Sequence, residues 1–583
     1  MAACRDRVRH GIRKERMRHA HGTRKEEKRR LLLYALLALI LAFDLTYAFA
    51  FASGPTNLSE DNAYAVLAIS ALHGQFNFNN LDSGRILEYL PIAGFFYLFG
   101  LGVYSSTAWN VAMFVGSVFI AFLLGKELYN EKCGLLSALL LSFFTPTVSG
   151  AIRIEINEAM MFFTALALLF LLYGYNRKSR KWMLASGALL AVSPLTTPIA
   201  LYAAAAAVLF MLVEVARRRM TRSLLAYLFA GMAVASFAIL ALSSAVSGNP
   251  LTIITLNQAY YANLTMTSTT YGIIGAPVAY ANYSLNDLSY YLYYYPENMF
   301  AYSNVQSALG MLESGRFSLG ALANQLINRS TTAGFYFYAV VAGIAYLIFR
   351  REKRLYFPAV WLTVGFAFIQ FAPQGLTLAP FRWILIFRDV RYFASIAIPT
   401  SVIIAMALAR ITDGWEERWR VARRGAWQRR TFELAKPVFA AAVAVFLIAT
   451  SIPVNLSWSS YINAEYYSLH AIASMFVNAN TNTTIYYPSG DYSQFPIYLG
   501  NNKHLNAIML DGIPNCSDFE NGSYVIIPNA TIGYAPKWQY INDTGKYCPN
   551  LELVAAPYDS AASDGLIHVA EEYEQKLYYV TGT

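Results

Sequence analysis

Two adjacent acids, Glu60 and Asp61, lie between a long apolar run and an apolar segment with helical character. A carboxylate in this position can take the proton of an attacking hydroxyl group, a role that typically accelerates a transfer by roughly 10²- to 10⁴-fold. The alternative is structural, because acids at a helix N-terminus cap the first turn and complement the helix dipole. In both cases we expect an amphipathic helix along the bilayer surface, with five residues on its apolar face: Ala63, Val66, Leu67, Ser70 and Ala71.

A second group of charges lies in the stretch "RIEINE", which contains Arg153, Glu155 and Glu158. Long apolar runs flank this stretch on both sides, so its charges are expected at or just inside a membrane surface. An unpaired charge is costly there. We therefore expect these residues either to act on a ligand or to form a local ion pair between Arg153 and one of the acids.

Arginines in the stretch "FRDVRY" form a third group, with Arg388 and Arg391 on either side of Asp389. Guanidinium groups bind phosphate oxygens through paired, charge-assisted hydrogen bonds, so both arginines are candidate phosphate ligands. Anchoring at the membrane interface is the alternative. Asp44, inside the first apolar run, is expected to have a structural partner rather than a catalytic role.

Long apolar runs must position these groups. The chain of 583 residues is 56% apolar and 14% charged, which is typical of a polytopic α-helical membrane protein. A helix needs about 20 residues to cross the hydrocarbon core, and segment 89–100 is short enough to be only half inserted. We predict eleven spans: 31–53, 105–126, 134–149, 158–175, 182–193, 198–215, 223–246, 333–349, 355–372, 391–410 and 437–453.

The distribution of positive charge predicts the orientation. Residues 1–30 form a basic segment with twelve Lys/Arg against four acids, and later basic loops fall on the same side if the span count is right. The N-terminus is therefore expected in the cytosol and the C-terminus outside the cytoplasm. Ten Asn-X-Ser/Thr triplets all fall in segments that this topology places outside, including loops 54–104 and 247–332. The net charge of +10 thus reflects cytosolic loops facing anionic lipid, and nucleic acid is not implied as a partner.

The segment 454–583 differs in composition from the apolar domain 31–453. It is acidic and contains strand-like runs at 483–488 and 523–528, which predicts a small extracytoplasmic α/β domain. Cys516 and Cys548 both lie there, and a disulfide between them is plausible outside the cytosol. The segment shows no metal motif, phosphate loop or Ser/His/Asp signature.

The order of these motifs resembles the GT-C superfamily of membrane glycosyltransferases, particularly dolichyl-phosphate-mannose protein mannosyltransferases and bacterial aminoarabinose transferases. An acidic pair in the first exterior loop of that superfamily is followed by a Tyr four residues after its first acid. The chain departs by having Glu before Asp, which leaves the identity of a base open. The matching positions are Glu60, Asp61 and Tyr64; Leu90-Pro91 and Phe99-Gly100; Arg153 and Glu158; and Arg391-Tyr392.

The resemblance implies transfer of a sugar from a polyprenyl or dolichyl phosphate to an extracytoplasmic protein, glycan or lipid acceptor, with inversion. Glu60 is then the expected base with Asp61 as substitute, and Glu158 a second acid. Arg153, Arg388 and Arg391 would bind the donor phosphate, and Glu155 and Tyr64 the acceptor. No metal-ligand set is apparent, so a divalent metal is compatible with this mechanism but not indicated. A membrane transporter or a non-catalytic binder of lipid-linked sugars is the alternative.

Overall fold

The structure, a computed structural model, describes most of the helical part of the chain and the core of a C-terminal sheet. The described residues are 27–28, 30–53, 60–76, 78, 82–253, 255–256, 335–371, 373–378, 381–385, 390–413, 426–465, 467–476, 482–488, 495–499, 502, 504–510, 516–528, 548, 550–556 and 575–581.

Helices make up most of these residues. In chain order they are α1 (Arg30–Ala50), α2 (Glu60–Leu72), α3 (Ile86–Phe99), α4 (Val103–Leu128), α5 (Glu131–Ser142), α6 (Thr145–Ala151), α7 (Ile156–Arg177), α8 (Arg180–Val192), α9 (Leu201–Ala216), α10 (Arg222–Ser247), α11 (Phe335–Phe349), α12 (Tyr356–Phe371), α13 (Ala394–Asp413), α14 (Ala426–Glu465), α15 (Tyr467–Phe476) and α16 (Phe495–Leu499).

Every predicted span overlaps one of these helices or the bent pair α5 and α6. By length and composition, six helices of the described part can cross a membrane, or seven if the pair, bent by 65°, counts as one span. Helices α8, α11 and α12 are shorter than the roughly 20 residues that a straight crossing needs. The predicted polytopic helical architecture is confirmed, whereas the count of eleven spans stays a prediction.

Helices α8 and α10 show how the bundle packs so closely. A Cβ at Gly187 of α8 would overlap the carbonyl oxygen of Leu228, and a Cβ at Gly231 of α10 would overlap that of Leu184. Small residues at a crossing let two backbones approach closely. The resulting van der Waals packing holds helices together in lipid, where the hydrophobic driving force between them is weak.

The loops alternate between two ends of the bundle. The loops predicted to be cytosolic meet at one end, through five polar contacts: Arg177–Glu127 at 3.7 Å, Lys178 Nζ to the Arg219 carbonyl at 3.1 Å, Arg354 Nη1 to the Tyr129 carbonyl at 3.4 Å, Arg410–Glu352 at 3.8 Å and Lys132–Asp413 at 3.6 Å. The alternation that the charges predict is therefore present, and the assignment of this end to the cytosol stays a prediction.

A five-stranded mixed sheet lies at the other end. Its strands are β3 (Thr483–Pro488), β4 (Leu505–Leu510), β5 (Tyr524–Pro528), β6 (Leu551–Ala555) and β7 (Gln575–Val580), in the order β4-β3-β5-β7-β6, following a hairpin of β1 (Pro373–Leu378) and β2 (Phe381–Leu385). Strands β3, β4 and β5 are parallel, and β7 pairs antiparallel with β5 and β6. The predicted strand runs at 483–488 and 523–528 correspond to β3 and β5.

The two faces of this sheet are covered differently. Helices α15 and α16 cover one face, where Leu469, Phe495 and Ile526 pack together with Ile152 from the second loop. The Cys516–Cys548 disulfide, predicted as plausible, is present and packs with Phe519 on the other face. The predicted domain boundary at 454 lies inside α14, which continues to Glu465.

Helix α2 begins at Glu60, as the sequence predicts, and it packs a different face into the protein from the apolar face predicted to meet the bilayer. Asp61, Tyr64, Ala65 and Ala68 are buried, while the predicted set starting at Ala63 is only half-buried. The face that packs into the protein is therefore opposite the predicted apolar face, whose contact with the bilayer surface stays a prediction. The buried stripe follows positions i, i+3, i+4 and i+7 of a helix, and its first member is an acid.

Candidate active site

The face of α2 that packs into the protein includes Asp61, whose side chain is 1% exposed. The side chain of Glu60, which is the first residue of α2, lies outside the described residues. Of the predicted acidic pair, Asp61 is thus the member with a described environment. The alternative interpretation, an acid that complements the helix N-terminus, applies by position to Glu60, the first residue of α2, rather than to the buried Asp61.

A tight turn, Asp82–Gly84, supplies the next polar group of the site. Arg85, which follows it, is buried and forms an ion pair with Asp82 at 3.1 Å. The Tyr64 hydroxyl donates to Asp82 Oδ1 at 3.3 Å, and Arg85 Nη1 also donates to that hydroxyl. Tyr64, predicted to contact an acceptor, therefore fixes a buried guanidinium that the sequence analysis did not single out.

Glu88, in the first turn of α3, is fully buried and is the main residue that the sequence reasoning missed. Burial raises the pKa of Glu88 to about 8, and the charges of Glu155 and Asp61 add to the rise, against the opposing effects of Asn110 and Arg85. At neutral pH this carboxyl group is mostly protonated. Its signal in the sequence was an acid three residues before Pro91, directly before the segment 89–100 that the sequence analysis interpreted as half inserted in the membrane.

The second loop is held rigidly around Glu155. Its carboxylate accepts hydrogen bonds from Arg153 Nη2 at 2.9 Å and Asn157 Nδ2 at 2.6 Å. Its backbone carbonyl accepts from Asn110 Nδ2 of α4 at 2.7 Å. The local ion pair between Arg153 and an acid, one of the two interpretations of the sequence, is therefore present with Glu155 as the partner.

Glu158 lies in the first turn of α7, with its side chain 0% exposed. Neither of its carboxylate oxygens has a hydrogen-bond partner within the described part of the chain. Its electrostatic neighbours are Glu155 and Glu88. Gly150 of α6 packs directly against it, since a Cβ on Gly150 would lie 2.5 Å from Glu158 Oε1.

Tyr498 of α16 connects the site to the sheet. Its hydroxyl donates to the Ser53 carbonyl at 3.4 Å, and burial together with the charge of Asp61 raises the pKa of Tyr498 well above its usual value. Apolar side chains surround this group of polar residues: Ile86, Ile92, Ile154, Ile156, Leu195 and Ile497. The surroundings have a low dielectric constant, so charges in the site interact strongly.

The predicted phosphate-binding arginines are only partly described. Arg388 lies outside the described residues, and nothing is described of the Arg391 side chain. The backbone of Arg391 belongs to a short turn, Val390–Phe393, that packs against α6 and so lies beside the second loop.

The site therefore combines four buried acids, Asp61, Glu88, Glu155 and Glu158, with the guanidinium groups of Arg85 and Arg153. Within the described ranges, no three or more His, Cys, Asp or Glu side chains form a group that could hold a metal ion. Buried acids beside cations are suited to accepting a proton and to binding an anionic ligand.

Known proteins resemble part of this chain in sequence and most of it in fold. Residues 82–243, which contain Glu88, Asn110 and the whole second loop, match the model of the dolichyl-phosphate-mannose-protein mannosyltransferase family. The crystal structure of apo ArnT from Cupriavidus metallidurans superposes with a TM-score of 0.50 at 14% identity, over 94% of this chain and 98% of ArnT. The chain has the GT-C fold. The GT-C resemblance is thereby confirmed for the fold.

Two further solved structures are similar to this GT-C chain. ArnT bound to undecaprenyl phosphate gives a TM-score of 0.46 at 12% identity, over 94% of this chain and 97% of ArnT. The apo oligosaccharyltransferase of Archaeoglobus fulgidus gives 0.46 at 14% identity, over 85% of this chain and 69% of its own. No curated protein sequence matches the chain.

Proposed function

We propose that this GT-C protein is a glycosyltransferase that moves a sugar from a polyprenyl or dolichyl phosphate to a hydroxyl group outside the cytoplasm. The observation that carries the proposal is the buried group of acids and arginines inside the range that matches the mannosyltransferase family. ArnT, whose fold this chain shares, has also been solved with undecaprenyl phosphate. That lipid supports a polyprenyl-linked donor here.

The reaction that we propose is a single displacement. The acceptor oxygen forms a bond to the anomeric carbon while the bond from that carbon to the phosphate oxygen breaks. The acceptor proton passes to a carboxylate, and the bonding pair leaves with the lipid phosphate. One displacement inverts the anomeric configuration. The charge that develops on the phosphate is the part of the transition state that nearby arginines stabilise.

Among the acids, the Glu60–Asp61 pair is our choice for the base. Glu88 holds its proton at neutral pH, which makes it a hydrogen-bond donor rather than a base. Glu155 already accepts two hydrogen bonds from Arg153 and Asn157. Asp61 is favoured within the pair because it reaches the buried group, and Glu60 is the other candidate.

The remaining residues have supporting roles in this proposal. Glu158 orients the acceptor or the base, with Glu155 and Tyr64 near the acceptor. Arg153 and Arg391 bind the donor phosphate, Arg388 assists from the neighbouring segment, and Arg85 is a further cation of the same site. A divalent metal is not part of the proposal.

The proposed side of the reaction rests on the two ends of the bundle. The acidic group lies opposite the end where the loops rich in Lys and Arg meet. Positive loops favour the cytosol, so the acidic group would face the exterior with the sheet.

The test is transfer from purified lipid-phosphate sugars by the full-length protein in detergent. Released lipid phosphate is measured with a panel of sugar donors and with an acceptor extract from cell envelopes. We expect Asp61→Asn or Glu60→Gln to slow release at least about 100-fold, while Glu127→Gln, an acid at the opposite end, leaves the rate unchanged. Full rates in both variants would overturn the base assignment. Release by no donor on the panel, with folded protein, would overturn the enzyme proposal. Retention of the donor's anomeric configuration would overturn the single displacement.

A further inference from the structure

Three asparagines that begin Asn-X-Ser/Thr triplets have described side chains, and their surroundings differ sharply. Asn455 is 5% exposed, whereas Asn482 and Asn521 are both exposed. An N-linked glycan can only be accommodated where the carboxamide nitrogen reaches solvent, because the attached sugar is bulky and hydrophilic.

Asn455 is excluded by its packing. It lies in the C-terminal half of α14, and its Nδ2 donates to the carbonyl of Phe143, at the bend between α5 and α6, at 3.3 Å. A sugar on Nδ2 would displace α14 from this bend. The triplet at Asn455 therefore matches the motif but not its structural requirement.

Asn521 has the opposite surroundings. It occupies an exposed turn before β5, next to Gly522, whose φ of +82° favours glycine. The backbone fixes this turn, since Gly522 N donates to the Val580 carbonyl at 2.9 Å and Ser523 Oγ to the Glu520 carbonyl at 2.5 Å. Across the described part of the chain, no hydrogen bond engages the Asn521 carboxamide. The turn holds its shape without that side chain.

Asn482 directly precedes β3 and is also exposed. Its Oδ1 lies 3.3 Å from His504 Nδ1. This contact uses the oxygen of the carboxamide and not the Nδ2 atom that would carry a glycan. Because β3 and β5 are parallel neighbours, the residues that precede them lie at the same end of the sheet.

We propose that Asn482 and Asn521 carry N-linked glycans. A bond forms between Asn Nδ2 and the anomeric carbon of a lipid-pyrophosphate-linked or lipid-phosphate-linked sugar, the bond to the phosphate oxygen breaks, and the lipid leaves with the phosphate. The displaced amide proton goes to the base of a membrane oligosaccharyltransferase, which acts on this chain. The inference rests on the exterior placement of the sheet in the proposed function, and it does not require this protein's own catalysis.

The structure also constrains when the glycans are attached. Ser523, the hydroxyl residue of the Asn521 triplet, is buried and bonded in the folded turn, and Thr484 belongs to β3. The oligosaccharyltransferase must bind these hydroxyl residues before the sheet folds. Folding then tolerates the sugar at Asn482 and Asn521 because both side chains remain exposed.

The test expresses the full chain in a eukaryotic cell line, whose translocated Asn-X-Ser/Thr triplets are glycosylated, with a reporter triplet appended after Thr583. Glycans are removed by an amidase in heavy-oxygen water, and mass spectrometry quantifies labelled aspartate at each asparagine. We expect label at Asn482, Asn521 and the reporter, and none at Asn455. Thr484→Ala and Ser523→Ala should each remove one glycan, while Thr484→Ser and Ser523→Thr keep the triplets and the glycans.

Each other outcome is decisive. A labelled reporter with unlabelled Asn482 and Asn521 overturns the proposal, as does label at Asn455 equal to that at Asn521. An unlabelled reporter overturns the exterior placement on which the inference rests. If the protein carries both glycans but releases no lipid phosphate, the enzymatic function is refuted and the glycan proposal stands. If the protein releases lipid phosphate but carries no glycan at Asn482 or Asn521, the glycan proposal is refuted and the enzymatic function stands.

Discussion

Replacement of Glu88 by Gln tests the buried acidic group without reference to any substrate. The ordinary glutamate pKa of 4.5 is raised to about 8 in the fold, chiefly by burial. Between these two values the native state holds a proton that the unfolded state has released. Stability contributed by this group is therefore complete at low pH and falls as the pH rises towards 8.

The magnitude follows from the size of the shift. A difference of about 3.5 pKa units corresponds to about 5 kcal/mol at 1.36 kcal/mol per unit, as an order of magnitude. Between pH 6 and pH 8 the wild-type protein should lose about 2 to 3 kcal/mol of unfolding free energy through this residue. The Glu88→Gln variant keeps the shape and a hydrogen-bonding group but cannot ionise, so it should lack that loss.

The assay is reversible unfolding in mixed detergent at pH 6, 7 and 8, followed by near-ultraviolet circular dichroism. Glu131→Gln is the matched control, because this acid lies at the opposite end of the bundle in contact with Lys126 and Arg30. The control should keep the wild-type dependence on pH. Equal dependence in wild type and Glu88→Gln would refute the reasoning that Glu88 is buried and protonated.

Two further predictions concern the geometry of the site and the sheet. Gly150→Ala should push Glu158 Oε1 aside by about 1 Å, since the new Cβ would lie 2.5 Å from it against an ordinary contact of about 3.4 Å. Lipid-phosphate release should fall up to about 100-fold with little change in melting temperature, whereas Gly94→Ala, which meets no atom within 4 Å, should have no effect; equal rates would remove Glu158 from the mechanism. Reduction of Cys516–Cys548, separated by 32 residues, should cost the sheet about 3 to 4 kcal/mol, detected as faster hydrogen exchange in β5 and β7; unchanged exchange would refute a stabilising role.

The sequence predicted much of the acidic group because charge in an apolar chain is rare. Glu155, Glu158 and Arg153 stood out in a short loop between apolar runs, and the structure brings all three together with Asp61. Glu88 did not stand out, because one acid in the first turn of an apolar helix also suits the helix dipole. The packing of α3 against the second loop buries Glu88 near Glu155, and this contact is not visible in the sequence around Glu88.

The face of α2 that packs into the protein was not predicted, for a related reason. The segment is apolar on most of its circumference, so periodicity selects no single buried face. The face is chosen by contacts distant in sequence: Tyr64 bonds to Asp82, and Asp61 lies within electrostatic range of Glu88 and Tyr498. Long-range polar contacts of this kind leave no trace in a local pattern.

The balance of charge in the site explains why one of its acids keeps a proton. Four carboxyl groups are buried with two guanidinium groups, and Arg85 and Arg153 are already paired with Asp82 and Glu155. Full ionisation would leave like charges close together in a medium of low dielectric constant. At Glu88, burial and the charges of Glu155 and Asp61 outweigh the opposing effects of Asn110 and Arg85, so this carboxyl group keeps its proton. In the proposed reaction, a donor phosphate adds negative charge to this balance and competes with Glu155 for Arg153. A neutral Glu88 then keeps the added repulsion low, while the proposal assigns the acceptor proton to the Glu60–Asp61 pair.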